Sequence, residues 1–181
     1  AELPEAAPQE RMAELYRQVG DWVADHEDPV VISGDCVVVL GVLAGLQRRG
    51  IEPTLLWFDA HGDFHTWETS RSGCLGGMPL AMLTGRGEQT IVAGAGMTPI
   101  SDDRVVLVDG RDLDPGEDDA VASSGMRVIT VDQVASLPLK GPLYVHVDVC
   151  GSDDAVDYVS VSTQRLEVID EITCPSSAAG G

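Results

Sequence analysis

Asp59, His61 and Asp63 stand at alternate positions directly after the apolar run Leu55-Leu56-Trp57-Phe58. A run that short and that apolar predicts a buried strand of a parallel sheet, and in extended geometry alternate side chains point the same way. Two carboxylates and an imidazole then converge just past the carboxyl end of a strand, where open α/β sheets place their ligands. Such a set suits a divalent cation. Carboxylate with imidazole favours Mn²⁺, Zn²⁺ or Fe²⁺, whereas an all-oxygen cage favours Ca²⁺ or Mg²⁺. Taken alone, D-x-H-x-D is also a pattern that a solvated loop can show. Two further strand ends argue against that plainer reading. Leu143 to Val147 predicts a strand whose polar exit alternates His146, Asp148 and Cys150, and Asp35-Cys36 follows the β-branched stretch Val30-Val31-Ile32-Ser33. Ligand-type side chains thus reach one rim from three strands.

The elements that must position them read as alternating β and α. Met12, Leu15, Tyr16, Val19 and Val23 recur at helical spacing in a surface helix; VVIS after Pro29 predicts a strand, and VVVLGVLAGLQRRG a helix with a basic last turn and a glycine stop. LLWF follows as the next strand. GGMPLAMLTGRG predicts a short helix, TIVAGA, RVVLVDG, RVITVD and PLYVHVDV each a strand, and DLDPGEDDAVASSG a helix beginning near Pro115. Connections of this kind build a parallel sheet.

Composition narrows the class. The 181 residues fit one domain, and a formal charge of −19 argues against nucleic acid or an anionic membrane surface as partner and favours a small cationic substrate. No apolar run reaches the length of a transmembrane span, and AELPEAAPQE lacks the pattern of a signal peptide, so a cytoplasmic protein is expected. Four dispersed cysteines, Cys36, Cys74, Cys150 and Cys174, are expected as thiols rather than as a disulfide scaffold.

Gly34-Asp35-Cys36, Asp59-Ala60-His61-Gly62-Asp63, Ser72-Gly73 and His146-Val147-Asp148-Val149-Cys150 together resemble the motifs of the ureohydrolase family of arginases, agmatinases and formiminoglutamases, in the family's order. The resemblance runs from Val30 to Asp148, with a weaker echo at Glu171-Ile172-Thr173-Cys174-Pro175. It implies a three-layer α/β/α sandwich with a mostly parallel sheet, a manganese centre of one or two Mn²⁺ per chain at the strand ends, hydrolysis of guanidino carbon–nitrogen bonds, and a homo-oligomer, trimer or hexamer. Residue by residue, Asp59 and Asp148 match the bridging carboxylates, Asp63 a further carboxylate on one metal that also passes a proton to the leaving amine, and His61 the imidazole on the other metal. Ser72 fits the substrate loop, His65 and Cys74 fall where arginases place asparagines contacting the substrate's amino-acid end, and Glu171 matches the carboxylate that pairs with the guanidinium.

The sequence departs from the family at Cys36, where histidine is usual, at Cys150, where aspartate is usual, and at Gly76, where arginases have a proton-shuttling histidine. Thiolate is softer than imidazole or carboxylate and must be deprotonated to bind, so a weaker metal centre is expected. The match also sets Cys36 and Cys150 close enough for oxidation to join them. Cysteine of this kind resembles one branch, the Nω-hydroxy-arginine amidinohydrolases of D-cycloserine biosynthesis, which implies release of hydroxyurea and L-ornithine. Arginase, agmatinase or formiminoglutamase activity and a metal-poor, non-catalytic homologue are the alternatives. The related deacetylases would need a tandem histidine pair that the sequence lacks. The interval from Asp148 to Glu171 is too short for the helix and strand the family has there, so the resemblance implies a longer protein with segments beyond these residues.

Overall fold

Ala13, Tyr16, Gly20 and Val23 recur three or four residues apart, and helix α1 (Pro8–Ala24) buries these four on one face. The computed structural model describes residues 3–149, together with the backbones of 158–162 and 165–169. After α1 the chain reaches a 3₁₀ turn at Cys36–Val38, whose start is capped by the Asp35 carboxylate accepting the Val37 N–H at 2.9 Å. Helix α2 (Val39–Arg48) continues from it and buries every residue from Val39 to Leu46, as expected of a helix apolar nearly all round.

Among the described residues the sheet has four parallel strands: β1 (Thr54–Asp59), β2 (Val105–Asp109), β3 (Arg127–Ile129) and β4 (Leu143–Val147), in the order β3-β2-β1-β4. Central β1 is buried from Leu55 through Asp59, which explains its continuous apolar run. Period-2 alternation sorts its side chains. Leu55 and Trp57 join Leu107 and the helical core residues of α1, α2, α3 (Pro79–Leu83) and α4 (Gln89–Ala95), whereas Leu56 and Phe58 join Val106, Val108 and the apolar stretch from Val131 to Leu139 on the other face. Helix α5 (Glu117–Ser123) adds Val121 to the first of these cores. The expected α/β class with a parallel sheet is thus observed. A separate antiparallel pair, β5 (Tyr158–Ser162) and β6 (Arg165–Ile169), follows.

Two expected strands are not strands. Val30 to Ser33 joins no sheet among the described residues, and Val30 and Ile32 are 81% and 95% exposed. TIVAGA lies in α4 instead. Its N-terminus is capped by the Glu88 carboxylate accepting the Thr90 N–H at 2.7 Å, and Gly96 closes it in the left-handed region at φ 77°.

α1 and α2 approach closely because glycines face each other. A Cβ on Gly45 would lie 2.5 Å from the Gly20 carbonyl oxygen and 2.6 Å from the Val23 Cβ, and one on Gly41 would lie 2.6 Å from the Tyr16 oxygen. Gly→Ala inside a helix normally stabilises by up to ~1 kcal/mol. Here the sign is expected to reverse: Gly45→Ala should destabilise by about 1–3 kcal/mol through overpacking against backbone, read as a lowered melting temperature by circular dichroism.

Candidate metal centre

The polar rim is built by the carboxyl ends of β1, β2 and β4. Asp59, the last residue of β1, is 5% exposed, and its Oδ1 accepts the His61 backbone N–H at 2.8 Å while His61 Nδ1 lies 3.2 Å away. The chain then turns sharply. Asp63 takes the left-handed conformation at φ 48°, which aspartate tolerates better than most residues, and its carbonyl accepts the Leu80 and Ala81 N–H groups at the start of α3. Cys36 is brought to the same place by its capped turn, tied to α1 through the Tyr16 hydroxyl, which donates to Asp35 Oδ1 at 3.3 Å.

Ligand atoms of Asp59, His61 and Asp148 lie within 4.8 Å of one another, and so do those of Cys36, Asp59 and His146. Asp63 adjoins them, close enough for its carboxylate and the Cys36 thiol to hydrogen-bond. The electrostatics are one-sided. Burial, then the charges of Asp59 and Asp148, push the Asp63 carboxyl up to about 9. Burial also raises Asp59, against the opposing pull of the His61 N–H. The Cys36 thiol is raised by burial and then by Asp63, Asp148 and Asp59, so it stays protonated at neutral pH until a cation compensates. Burial lowers His146 to about 4, leaving its imidazole neutral. Asp59 Oδ2, Asp63 Oδ2 and His146 Nε2 are buried without hydrogen-bond partners. Orphaned acceptors beside a protonated thiol are costly unless a cation takes the place of the missing donors. The residues present therefore fit a divalent metal.

Other sequence-predicted site residues lie around this cluster. His65 is buried, with Nδ1 3.1 Å from the Thr69 hydroxyl and Nε2 3.1 Å from Asp114 Oδ2, so both ring nitrogens are engaged. Ser72 and Cys74 are exposed on a turn where the Ser72 hydroxyl accepts the Cys74 N–H at 3.1 Å. Leu75, just beyond, packs against the same core as Cys36. Cys36 and Cys74 are free thiols; Cys150 and Glu171 lie outside the described residues. Sequence reasoning gave no role to His146, Asp112, Asp114 or Glu117. Asp112 Oδ2 is 3.9 Å from His61 Nε2, and buried Glu117 accepts the Phe64 N–H at 2.9 Å and the Asp114 N–H at 3.1 Å. The signal was present as a second D-x-D, Asp112-Leu113-Asp114, after the apolar strand β2.

A parallel sheet that gathers carboxylates, imidazoles and a thiol at its carboxyl edge defines an α/β protein with a candidate metal site. A profile of the Arginase family matches residues 2–177. The arginase of Bacillus subtilis (strain 168) is 32% identical over 168 residues, covering 92% of this chain and 56% of that protein; that of Bacillus caldovelox is 36% identical over 133 residues, covering 73% and 44%. The crystal structure of Bacillus caldovelox arginase superposes with a TM-score of 0.63 at 32% identity, covering 76% of this chain and 50% of that one. The formimidoylglutamase of Bacillus subtilis shares the fold at 14% identity and a TM-score of 0.53. The chain belongs to the Arginase family and has its α/β fold. It spans about half the length of the curated relatives it matches. No helix among the described residues is long and apolar enough to cross a membrane.

The raised carboxyls fix a sign for stability. A carboxyl whose folded pKa lies above its unfolded value stabilises the fold below the unfolded value, near 4, and that contribution is lost as pH rises through the folded one. His146, depressed, stabilises above its ordinary 6.5 and loses that contribution as pH falls through about 4. Chelator-treated protein is therefore expected to melt highest on the acidic side of neutrality and progressively lower toward pH 9, where Asp63 is forced to ionise. Excess divalent metal should remove the alkaline decline. Thermal melts across this range, with and without metal, check it; a flat alkaline limb would mean that the carboxyls ionise freely.

Proposed function

We propose that the protein is a metal-dependent amidinohydrolase that cleaves the guanidino carbon–nitrogen bond of an arginine-like substrate, with Nω-hydroxy-L-arginine preferred and L-ornithine and hydroxyurea as products. The observation that carries this reading is the convergence of Cys36, Asp59, His61, Asp63 and Asp148, with buried carboxylate oxygens left for a cation. Membership of the Arginase family gives it its chemical class.

Asp59 and Asp148 would hold metal between them, Asp63 and Cys36 on one side and His61 on the other, with Cys150 as a further ligand; one or two Mn²⁺ per chain is the proposed complement. When bound, the metal supplies Lewis acidity and a water activated near neutral pH. The chain's own residues do the rest. Asp63, beside the reacting water, would take the proton that water releases on adding and pass it to the amine nitrogen as the carbon–nitrogen bond breaks. Glu171 pairs with the guanidinium, and His65, Ser72 and Cys74 orient the amino-acid end. Water adds to the guanidino carbon, and the side-chain nitrogen leaves with the proton as ornithine. The net charge of −19 draws a small cation toward this rim.

The preference for the N-hydroxylated substrate rests on Cys36. A hydroxyguanidine is less basic than a guanidine and brings an oxygen donor of its own, which suits a centre where a protonated thiol replaces a stronger ligand. We further propose a single catalytic domain, a cytoplasmic location and a homotrimer or homohexamer, without nucleic acid or membrane as partner. Full-length protein assayed with arginine, agmatine and Nω-hydroxy-L-arginine side by side at fixed Mn²⁺ tests the substrate. Hydroxyurea should form with a higher kcat/KM than urea from either other compound. Faster urea release from arginine would make the protein an arginase, and no product from any of the three, with metal bound, would make it a non-catalytic homologue.

A further inference from the structure

Within the metal-hydrolase reading on which this inference rests, one buried imidazole has no assigned use. His146 sits on β4 opposite Trp57 of β1, on the sheet face packed by the helices, and is 9% exposed. Its ring stacks on the Trp57 indole at 3.6 Å between centroids and 6° between planes. Stacking of that kind fixes the plane of the imidazole, so its nitrogens can point only within that plane. Nε2 is buried and makes no hydrogen bond, and ligand atoms of His146, Cys36 and Asp59 all lie within 4.8 Å of one another. An imidazole held in plane beside a thiol and a carboxylate oxygen, with a buried nitrogen that no protein group engages, is the arrangement a metal ligand needs before the metal arrives.

We propose that His146 is a ligand of the metal position that Cys36 and Asp59 share, giving it one sulfur, one imidazole nitrogen and carboxylate oxygen. The consequence is selectivity. Sulfur with imidazole suits Zn²⁺ and Co²⁺ better than Mn²⁺, while the position formed by Asp59, His61 and Asp148 keeps the oxygen-rich character that Mn²⁺ accepts. The two halves of the centre therefore differ in the ion they prefer.

Cobalt titration of metal-free, full-length protein under reducing conditions tests this, because a Co²⁺ ion bound to thiolate shows a near-ultraviolet charge-transfer band independent of turnover. His146→Phe keeps the stacking surface and removes both nitrogens. In a Cys150→Ser background, where Cys36 is the thiolate the centre retains, it should weaken the Co²⁺ step that carries the charge-transfer band by at least about tenfold, as loss of a group that holds a metal does, and Cys36→Ala should abolish the band. Unchanged Co²⁺ affinity and spectrum in a folded His146→Phe protein would overturn the inference. Asp59→Asn separates it from the reading beneath it: if that variant also binds Co²⁺ as wild type does, the metal centre itself is wrong, not only the role of His146. Should His146→Phe fail to fold, X-ray absorption of wild-type protein with less than one equivalent of Zn²⁺ decides. Sulfur and imidazole around the same zinc support the proposal, and either one without the other overturns it.

Discussion

Asp59→Asn is expected to lower kcat/KM for guanidino hydrolysis by roughly 10³-fold, about 4 kcal/mol of transition-state stabilisation, while raising the thermal stability of the metal-free protein. The two effects have one cause. Asp59 is common to both groups of converging ligand atoms among the described residues, so its loss disturbs both halves of the centre at once. Its carboxyl is also buried, raised by burial, and has one oxygen without a partner. An amide of nearly the same shape removes a buried charge that repels Asp63 and Asp148, and with it the negative oxygen that a cation requires. Opposed changes in activity and stability are the mark of a residue kept for function at a cost to the fold. Metal content, kcat/KM and melting temperature measured on the same preparations check this. If stability and activity fall together, Asp59 is a structural residue of the β1 exit and the metal assignment loses its centre.

How much of this was readable in advance depended on where each contact lies along the chain. Strands β1, β2, β3 and β4 were legible because each is a short β-branched or aromatic run bounded by turn residues. Asp59, His61 and Asp63 were legible because a strand converts spacing of two into a common direction. The segment TIVAGA was not. Six apolar or small residues fit a buried strand and a short helix equally well, and what decides is a hydrogen bond from the Thr90 N–H to the neighbouring Glu88 carboxylate and a left-handed Gly96, neither of which is periodic. Val30 to Ser33 differs for another reason: β propensity reflects side-chain packing on a half-buried pleated surface, and Val30 and Ile32, 81% and 95% exposed, have none. His146 alternated with Asp148 in plain view, yet its closeness to Cys36 joins residues from opposite ends of the chain and depends on how the turn before α2 sits over β4.

Glu117 is the clearest case of a residue that only the folded chain reveals, and it carries the second large expectation. It lies in the first turn of α5, 4% exposed, where a carboxylate is favoured by the helix dipole. Its two oxygens accept the backbone N–H of Phe64 at 2.9 Å and of Asp114 at 3.1 Å, so a single side chain fastens the loop after β1 to the loop after β2. Gly62 leaves room for it: a Cβ there would come within 2.6 Å of the Glu117 Cδ. Glu117→Ala strands the buried Phe64 donor at about 1–3 kcal/mol and frees the half-buried Asp114 donor at less, so a loss of roughly 2 kcal/mol and, at ~2–4 °C per kcal/mol for a chain of this size, a fall of about 4–8 °C in melting temperature are expected. Metal affinity should fall with it, by about tenfold, because the Phe64 anchor is what holds Asp63 in its left-handed turn toward the cluster. Glu117→Gln keeps one acceptor oxygen and should fall between wild type and alanine in both measurements. Gly62→Ala should reproduce the alanine variant by pushing the carboxylate away from the same two donors. Calorimetry and metal titration of the three variants decide it: if Glu117→Ala lowers the melting temperature but leaves metal affinity at the wild-type value, the bridge stabilises the fold without positioning the site, and Asp63 is held by its own carbonyl contacts to α3 instead.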